Sequence, residues 1–214
     1  MLRGLNMDRQ LLVSGLIEYA GRNHSTTDVI ATDSSGVVHR TNWSAIRSRA
    51  QQVSAALLGE GISPGDRVAT IAWNDHRHLE AYYGITGLGS VLHTINPRLR
   101  DQQIAWIVKH ADDQLVFVDP DFLPVAEAIA PDTPSVRTWV VLANELPDTS
   151  LPHAVAYEEW INDHKLINEW PLFDEWCAAT LCYTSGTTGD PKGVVQSHRS
   201  IVLQTWATCT GDGH

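Results

Sequence analysis

In RVATIAWNDHRHLEAYYGITGLGSVLHTIN, residues 67–96, the hydrophobic pattern changes its period twice. RVATIAW is a short apolar run of the kind that forms a buried strand. The following DHRHLEAYYGITGLG predicts a helix, with Asp75 near its start. SVLHTIN then returns to a strand pattern. This order predicts two parallel strands joined by a right-handed helical crossover.

The alternation of strands and helices extends in both directions from this stretch. Downstream, the helix DQQIAWIVKHADD, the strand QLVFVD, the short helix DFLPVAEAIA and the strand VRTWVVLA follow one another. Upstream, DVIATD and GVVHRT predict a β-hairpin, and Asn42 is placed to cap the next helix. We therefore predict an α/β fold with a largely parallel sheet flanked by helices. Residues 144–171 are predicted to form a surface excursion that returns to the core at CAATLCY.

Composition limits the classes of function. The chain has 214 residues, of which 43% are hydrophobic, so a sizeable core can form. The formal net charge of −10 argues against nucleic acid or an anionic membrane as a partner. The sequence has no apolar run of about 18 residues, and its first twenty residues do not resemble a signal peptide. The spacing of the three cysteines fits neither zinc nor a CxxC pair, so we predict a cytoplasmic protein without a transmembrane segment.

A loop of unusual composition, TSGTTGDPKG, occupies residues 184–193, between CAATLCY and the short strand GVVQ. Its residue types suit a polyphosphate ligand. Glycines let backbone N–H groups approach an anion closely, hydroxyls donate in several directions, and lysine brings a positive charge. The candidate binding residues are Thr184, Ser185, Gly186, Thr187, Thr188, Gly189 and Lys192.

Two other interpretations of this loop are disfavoured. A Walker A loop would need glycine where Pro191 stands, and serine or threonine where Gly193 stands. A flexible linker without a ligand has no reason to carry Pro-Lys-Gly in that order between the two buried strands that we expect to flank it.

The string YTSGTTGDPKGV, residues 183–194, resembles the signature phosphate loop of the adenylate-forming superfamily, which includes acyl-CoA synthetases, luciferases and peptide-synthetase adenylation domains. The resemblance extends through residues 39–69 and 73–99. Within the second of these segments, HTINPRL is similar to bacterial medium- and long-chain fatty acyl-CoA ligases, as is SHRS at residues 197–200.

The resemblance implies a two-step reaction. A fatty acid carboxylate attacks the α-phosphate of Mg–ATP to give an acyl-adenylate and pyrophosphate, and coenzyme A then displaces AMP to form a thioester. Thr184 to Gly189 and Lys192 would hold the β- and γ-phosphates, with Thr184 also a neighbour of Mg²⁺. His198 would lie near the acyl or pantetheine route, or else be an ordinary residue of a helix's first turn. The full-length enzyme is a possible homodimer.

Enzymes of this superfamily are several hundred residues longer. Residues 1–214 correspond to a partial N-terminal AMP-binding domain that stops shortly after the phosphate loop, without the adenine-binding loop, the ribose-binding aspartate and the C-terminal domain. We therefore expect an incomplete fold that is inactive alone. Two alternatives stay open: a non-catalytic truncated fragment that binds nucleotide, and an adenylating ligase for an aryl or other acid.

The histidines suggest a metal site only weakly. His76 and His78 form an HxH pair, but positions i and i+2 of a helix do not share a face. We predict hydrogen-bonded or solvated histidines there. His93, near the end of a strand, is predicted to pack rather than react.

Overall fold

A computed structural model describes residue 2, residues 6–184 and residues 191–210 of the protein. Helices and strands alternate through most of these residues. The helices are α1 (Val13–Asn23), α2 (Trp43–Gly59), α3 (His76–Gly87), α4 (Asp101–Ala111), α5 (Leu123–Ile129), α6 (Tyr157–Asn162) and α7 (His198–Thr208). The strands are β1 (Asp28–Thr32), β2 (Val38–Asn42), β3 (Arg67–Ile71), β4 (Val91–Thr94), β5 (Asp113–Val118), β6 (Thr138–Val141), β7 (Ala154–Ala156), β8 (Ala178–Thr184) and β9 (Lys192–Ser197).

The described strands form a hairpin and one larger sheet. β1 and β2 pair antiparallel, as the sequence predicted. The larger sheet has seven strands in the order β7-β6-β5-β3-β4-β8-β9. Its first six strands are parallel, and β9 runs antiparallel to β8. The prediction of a largely parallel sheet flanked by helices is therefore confirmed.

Alternate residues of the strands belong to two hydrophobic layers. Val68, Leu92 and Phe117 face the layer that contains residues of α2, α3 and α6. Ala69 and Val116, one position away, face the layer that contains residues of α4 and α5. Because successive side chains of a strand point to opposite faces, the residues of one continuous apolar run pack alternately into the two layers. This double burial explains why the central strands lack polar alternation.

Short polar side chains define where two of these helices begin. The Asn42 side chain accepts a hydrogen bond of 2.9 Å from the backbone N–H of Ala45. Asp75 accepts one of the same length from the backbone N–H of His78. Each bond satisfies a donor that the first turn of a helix leaves unpaired. The cap at Asn42 was predicted from the sequence, and Asp75 was predicted to lie near the start of its helix.

The prediction of a surface excursion over residues 144–171 is wrong. Strand β7 of this segment extends the sheet at its edge, and α6 buries Tyr157 completely in the layer with α2 and α3. Trp170 is buried as well, and its indole N–H donates to Ser54 Oγ at 2.8 Å. The segment looks polar in sequence because its apolar residues are scattered among polar ones. Tyr157, Trp160 and Trp170 nevertheless reach the core, since a single aromatic side chain buries a large area.

Candidate functional site

The candidate phosphate loop begins and ends at one rung of the sheet. Thr184, the last residue of β8, pairs with Lys192, the first residue of β9. The Thr184 hydroxyl donates to the Lys192 carbonyl at 3.5 Å, a long and weak hydrogen bond. Both residues are exposed. Ser185, Gly186, Thr187, Thr188 and Gly189 lie outside the described residues.

The strands around the loop have unequal burial. β8 is buried over Ala179–Leu181 and exposed at Thr184, whereas five of the six residues of β9 are exposed. The expectation that two buried strands flank the loop is therefore wrong for β9, because this strand lies at the edge of the sheet with β8 on one side only. The hydroxyl of Thr184 and the ammonium of Lys192 are thus open to solvent on adjacent strands.

This rung lies at the carboxyl edge of the parallel strands. Thr70 on β3 pairs with Thr94 on β4, which in turn pairs with Cys182 on β8, two residues before Thr184. In open α/β sheets, ligands bind outside the carboxyl ends of the strands. The loop therefore leaves the sheet where a ligand site is expected on topology alone.

A row of small polar side chains crosses the sheet next to this edge. Thr94 Oγ1 lies 3.3 Å from Cys182 Sγ, and Thr70 Oγ1 lies 3.1 Å from His78 Nε2. Sequence analysis missed this row because its members lie on three separate strands and each one alone looks like an ordinary strand residue. The signal that could have found it is their shared position close to the end of each strand.

A cleft of about 420 Å³ opens beside this row, between the hairpin and α3. Tyr82 lines it, and burial raises the pKa of this phenol to about 12, with smaller contributions from Tyr83 and Cys182. At neutral pH the hydroxyl of Tyr82 is therefore a neutral hydrogen-bonding group. The cleft is lined by Val29, Ile30, Ala31, Thr32, Asn74, Asp75, His76, His78, Leu79 and Tyr82.

His198 is the first residue of α7 and is completely buried. Its Nδ1 accepts a hydrogen bond of 3.2 Å from the backbone N–H of Val13, the first residue of α1. An accepting Nδ1 means that the neutral ring carries its proton on Nε2. Burial lowers the pKa of this histidine to about 4, which agrees with a neutral ring. Within the part of the chain that the structure describes, Nε2 has no hydrogen-bond partner. The role of His198 toward a substrate stays a prediction.

The other histidines are engaged with neighbouring groups. The ring of His76 stacks on His39, with centroids 3.6 Å apart. His78 lies within hydrogen-bond distance of Trp73 and Thr70. Among residues 6–184 and 191–210, no group of three or more histidine, cysteine, aspartate or glutamate side chains is arranged to hold a metal ion. The sequence-based expectation of hydrogen-bonded or solvated histidines is confirmed for His78. It is wrong for His76, which is buried against His39 and whose Nδ1 has no hydrogen-bond partner among the described residues.

Comparison with known proteins identifies the family. The family model described as AMP-binding enzyme matches residues 18–213. The chain belongs to this family. A 3-methylmercaptopropionyl-CoA ligase of Ruegeria lacuscaerulensis is 44% identical over 211 residues, which cover 98% of this chain and 39% of the relative. A medium-chain-fatty-acid–CoA ligase of Ectopseudomonas oleovorans has the same identity and coverage. The chain thus spans about 39% of the length of these relatives.

Solved structures share the fold. A long-chain-fatty-acid-CoA ligase from Archaeoglobus fulgidus superposes with a TM-score of 0.81 at 16% identity, over 94% of this chain and 39% of that one. An anthranilate CoA ligase gives a TM-score of 0.78 at 24% identity, over 90% and 37% of the two chains. The α/β architecture therefore matches part of the adenylate-forming enzymes. No helix among the described residues is both long and apolar enough to cross a membrane.

Proposed function

We propose that the protein activates a carboxylic acid with ATP and then transfers the acyl group to coenzyme A. A carboxylate oxygen attacks the α-phosphorus, the acyl-adenylate forms, and the bond to the β-phosphate breaks to release pyrophosphate. The thiolate of coenzyme A then attacks the acyl carbon, the thioester forms and AMP leaves. Membership of the AMP-binding family supports ATP as the nucleotide substrate. The names of the relatives, which are CoA ligases, support coenzyme A as the acyl acceptor.

One observation carries the proposal for this chain: Thr184 and Lys192 are paired on adjacent strands at the carboxyl edge of the sheet. The pairing places a hydroxyl donor and an ammonium group at the two ends of a segment rich in glycine and threonine. Attack at phosphorus depends on positioning and on neutralising the charge of the leaving group. We propose that Lys192 supplies that charge to the β- and γ-phosphates, with hydroxyl and backbone donors from Thr184 to Gly189.

Magnesium enters this proposal as part of the Mg–ATP substrate. Mg²⁺ prefers oxygen ligands and keeps several waters, so phosphates and one protein hydroxyl suit it. The exposed hydroxyl of Thr184 fits such a role because its hydrogen bond to Lys192 is long enough to be exchanged easily. When bound, the ion would neutralise phosphate charge.

The proposed acid is a fatty acid or a related aliphatic carboxylate. Two relatives of equal identity are named for a medium-chain fatty acid and for 3-methylmercaptopropionate, and both names describe unbranched aliphatic acids. His198 is the proposed contact to the acyl or pantetheine group. Its Nε2–H would make that contact, since Nδ1 is already engaged by Val13 and the buried Nε2 has no hydrogen-bond partner among the described residues.

Location and assembly of the full-length protein are further parts of the proposal. Cys177, Cys182 and Cys209 are free and exposed, a state that suits a reducing compartment such as the cytoplasm. We propose a cytoplasmic homodimer, to be checked by light scattering of the purified full-length protein.

Carboxylate-dependent exchange of labelled pyrophosphate into ATP tests the first chemical step. We expect the full-length protein to show exchange with unbranched aliphatic acids, and less with benzoate or amino acids. Lys192→Ala should lower exchange about 100-fold, the effect of removing one donor aimed at developing charge. Lys165→Ala, which removes an exposed lysine elsewhere, is the matched control. Equal exchange by both variants would contradict the role of Lys192.

The 214-residue chain alone should show no exchange, since it spans about 39% of the length of its relatives. Turnover by this chain would overturn that expectation.

A further inference from the structure

The residue directly before the candidate phosphate loop, Tyr183, is attached to a helix that is distant in sequence. Its hydroxyl lies 2.6 Å from Nδ1 of His110, near the end of α4. The two rings meet edge to face, with centroids 5.8 Å apart. Trp106, one turn earlier on α4, stacks on His110 and presents its own ring to Tyr183 edge to face. The side chain of Tyr183 is therefore held from two directions.

A buried polar pair lies beside this tyrosine. His93 Nδ1 and Asp113 Oδ2 are 2.8 Å apart, and both side chains are fully buried. The ring of His93 lies 5.2 Å from that of Tyr183. Burying such a pair in a sheet is costly unless its geometry is held firmly. The pair links β4 to β5 and gives Tyr183 a second neighbour on the same face of the sheet.

The end of α4 is itself fixed to the sheet. Arg67, the first residue of β3, donates from Nε to the carbonyl of Ala111 at 2.6 Å and from Nη2 to the carbonyl of Asp112 at 3.1 Å. These bonds satisfy carbonyls that the last turn of a helix leaves without partners. His110 thus lies one residue from an anchored helix end and is held in place beside Tyr183.

The strand opposite Tyr183 leaves room for its ring. Gly193 on β9 pairs with Tyr183. A Cβ atom at this glycine would lie 3.3 Å from Cζ of Tyr183 and 3.1 Å from Cδ1 of Leu181. Both approaches are closer than ordinary carbon contacts, so a side chain at position 193 would require Tyr183 and Leu181 to shift by a few tenths of an ångström. The rung next to the Thr184–Lys192 pair is therefore closely fitted around Tyr183.

We propose that Tyr183, held by His110, is a positioning residue for the triphosphate of ATP. It fixes the positions of Thr184 and Lys192 at the end of the sheet, so that their hydroxyl and ammonium groups are placed before the nucleotide binds. Placing binding groups in advance strengthens binding because less conformational freedom is lost on association. This inference rests on the proposed function, and it concerns affinity for ATP and pyrophosphate rather than recognition of the acid.

The kinetic test uses the full-length protein and variants that remove the Tyr183–His110 hydrogen bond, of which His110→Ala also removes the stacking on Trp106. Tyr183→Phe keeps the ring and removes the hydroxyl, and His110→Ala removes its partner. Each should raise KM for ATP about fivefold, the factor expected for one net hydrogen bond, with kcat and KM for the acid nearly unchanged. The double variant should match the single ones, because both remove the same contact. His110→Asn, which keeps a polar atom near the position of Nδ1, should restore much of the affinity.

The matched control is Tyr19→Phe. Tyr19 is an exposed tyrosine whose ring also lies beside a histidine, His24, but on α1 and away from the loop. It should leave KM for ATP unchanged. A purely structural role for Tyr183 predicts a lower melting temperature with an unaltered KM for ATP. That result, or additive effects of Tyr183→Phe and His110→Ala, would overturn the proposal.

A second readout does not depend on activity. Trypsin cleaves after Lys192 faster when the base of the loop opens more often. Mass spectrometry should therefore show faster cleavage at Lys192 in Tyr183→Phe and His110→Ala than in the unmodified protein or Tyr19→Phe. If the unmodified protein shows no pyrophosphate exchange, the proposed function fails, and the cleavage rates still decide the positioning role. Equal cleavage rates in all four proteins would overturn that role.

Discussion

The two ends of the seven-stranded sheet differ sharply in burial. Toward one end, all four residues of β6 are buried, and α6 covers the sheet with Tyr157 and Trp160. At the other end, β9 exposes Val194 and Val195. The candidate phosphate loop joins β8 to β9 and so lies at the sparsely packed end. The buried half and the candidate phosphate loop are therefore separated along the sheet, and substitutions at the two ends should have different consequences.

A large-to-small substitution in the buried half should produce the largest effect. Phe117 on β5 is fully buried and contacts Trp160 edge to face, with centroids 5.5 Å apart. Phe117→Ala removes this packing and leaves a cavity, at a cost of about 3–5 kcal/mol in the free energy of unfolding. Val195→Ala, at a residue 60% exposed on β9, should change it by less than about 0.5 kcal/mol. Urea unfolding of both variants makes the comparison, and equal losses would show that the two ends are equally important for stability.

Much of the buried half could be predicted from sequence because its signals are local. The apolar runs of β3, β5 and β6, the caps Asn42 and Asp75 and the hairpin all follow from patterns within about fifteen residues. The segment 144–171 could not be predicted in this way. Its place depends on distant partners, such as the bond of Trp170 to Ser54, which are 116 positions apart in the chain.

Prediction of the candidate site from sequence meets the same limit. The composition of the loop predicted a phosphate ligand, and the structure places Thr184 and Lys192 on one rung. The contact between Tyr183 and His110 joins residues 73 positions apart, and no periodicity connects them. Polar contacts of this kind become visible only when the strands are assembled, because they depend on strand order rather than on local pattern.

Acid should lower the free energy of unfolding through His198, which joins α7 to α1. The expected loss lies between those of the substitutions in the buried half and at the exposed end. Burial lowers the pKa of His198 to about 4 in the folded chain, against 6.5 for an unperturbed histidine. Above pH 6.5 the ring is neutral in both states. As the pH falls from 6.5 to 4 the unfolded state binds the proton first, so stability decreases, by at most about 3 kcal/mol from this residue. Burial also lowers the pKa of His76 to about 4, which adds a loss of the same sign.

His198→Asn tests this prediction because asparagine can still accept from the N–H of Val13 but does not titrate. The variant should be less stable near pH 7, where the buried ring is lost, and its stability should then depend less on pH between 6.5 and 4. Urea midpoints measured across this range give the slope. His24→Asn, at an exposed histidine, is the control. Parallel slopes in His198→Asn and the unmodified chain would show that His198 is not the group responsible.

A substitution at the exposed end should produce the smallest change in stability and a clear change in self-association of the chain. Strand β9 pairs with β8 on one side, and no other described strand pairs with it. Free strand edges with apolar side chains promote pairing between chains, and a lysine on such an edge opposes it.

We expect the 214-residue chain to self-associate and Val195→Lys to reduce this self-association. The same substitution should change the free energy of unfolding by less than about 0.5 kcal/mol. Val37→Lys, at a valine 62% exposed in the hairpin turn, adds the same charge away from the large sheet. Sedimentation over a range of concentrations compares the three proteins, and equal reduction by both lysines would assign the effect to net charge rather than to the β9 edge.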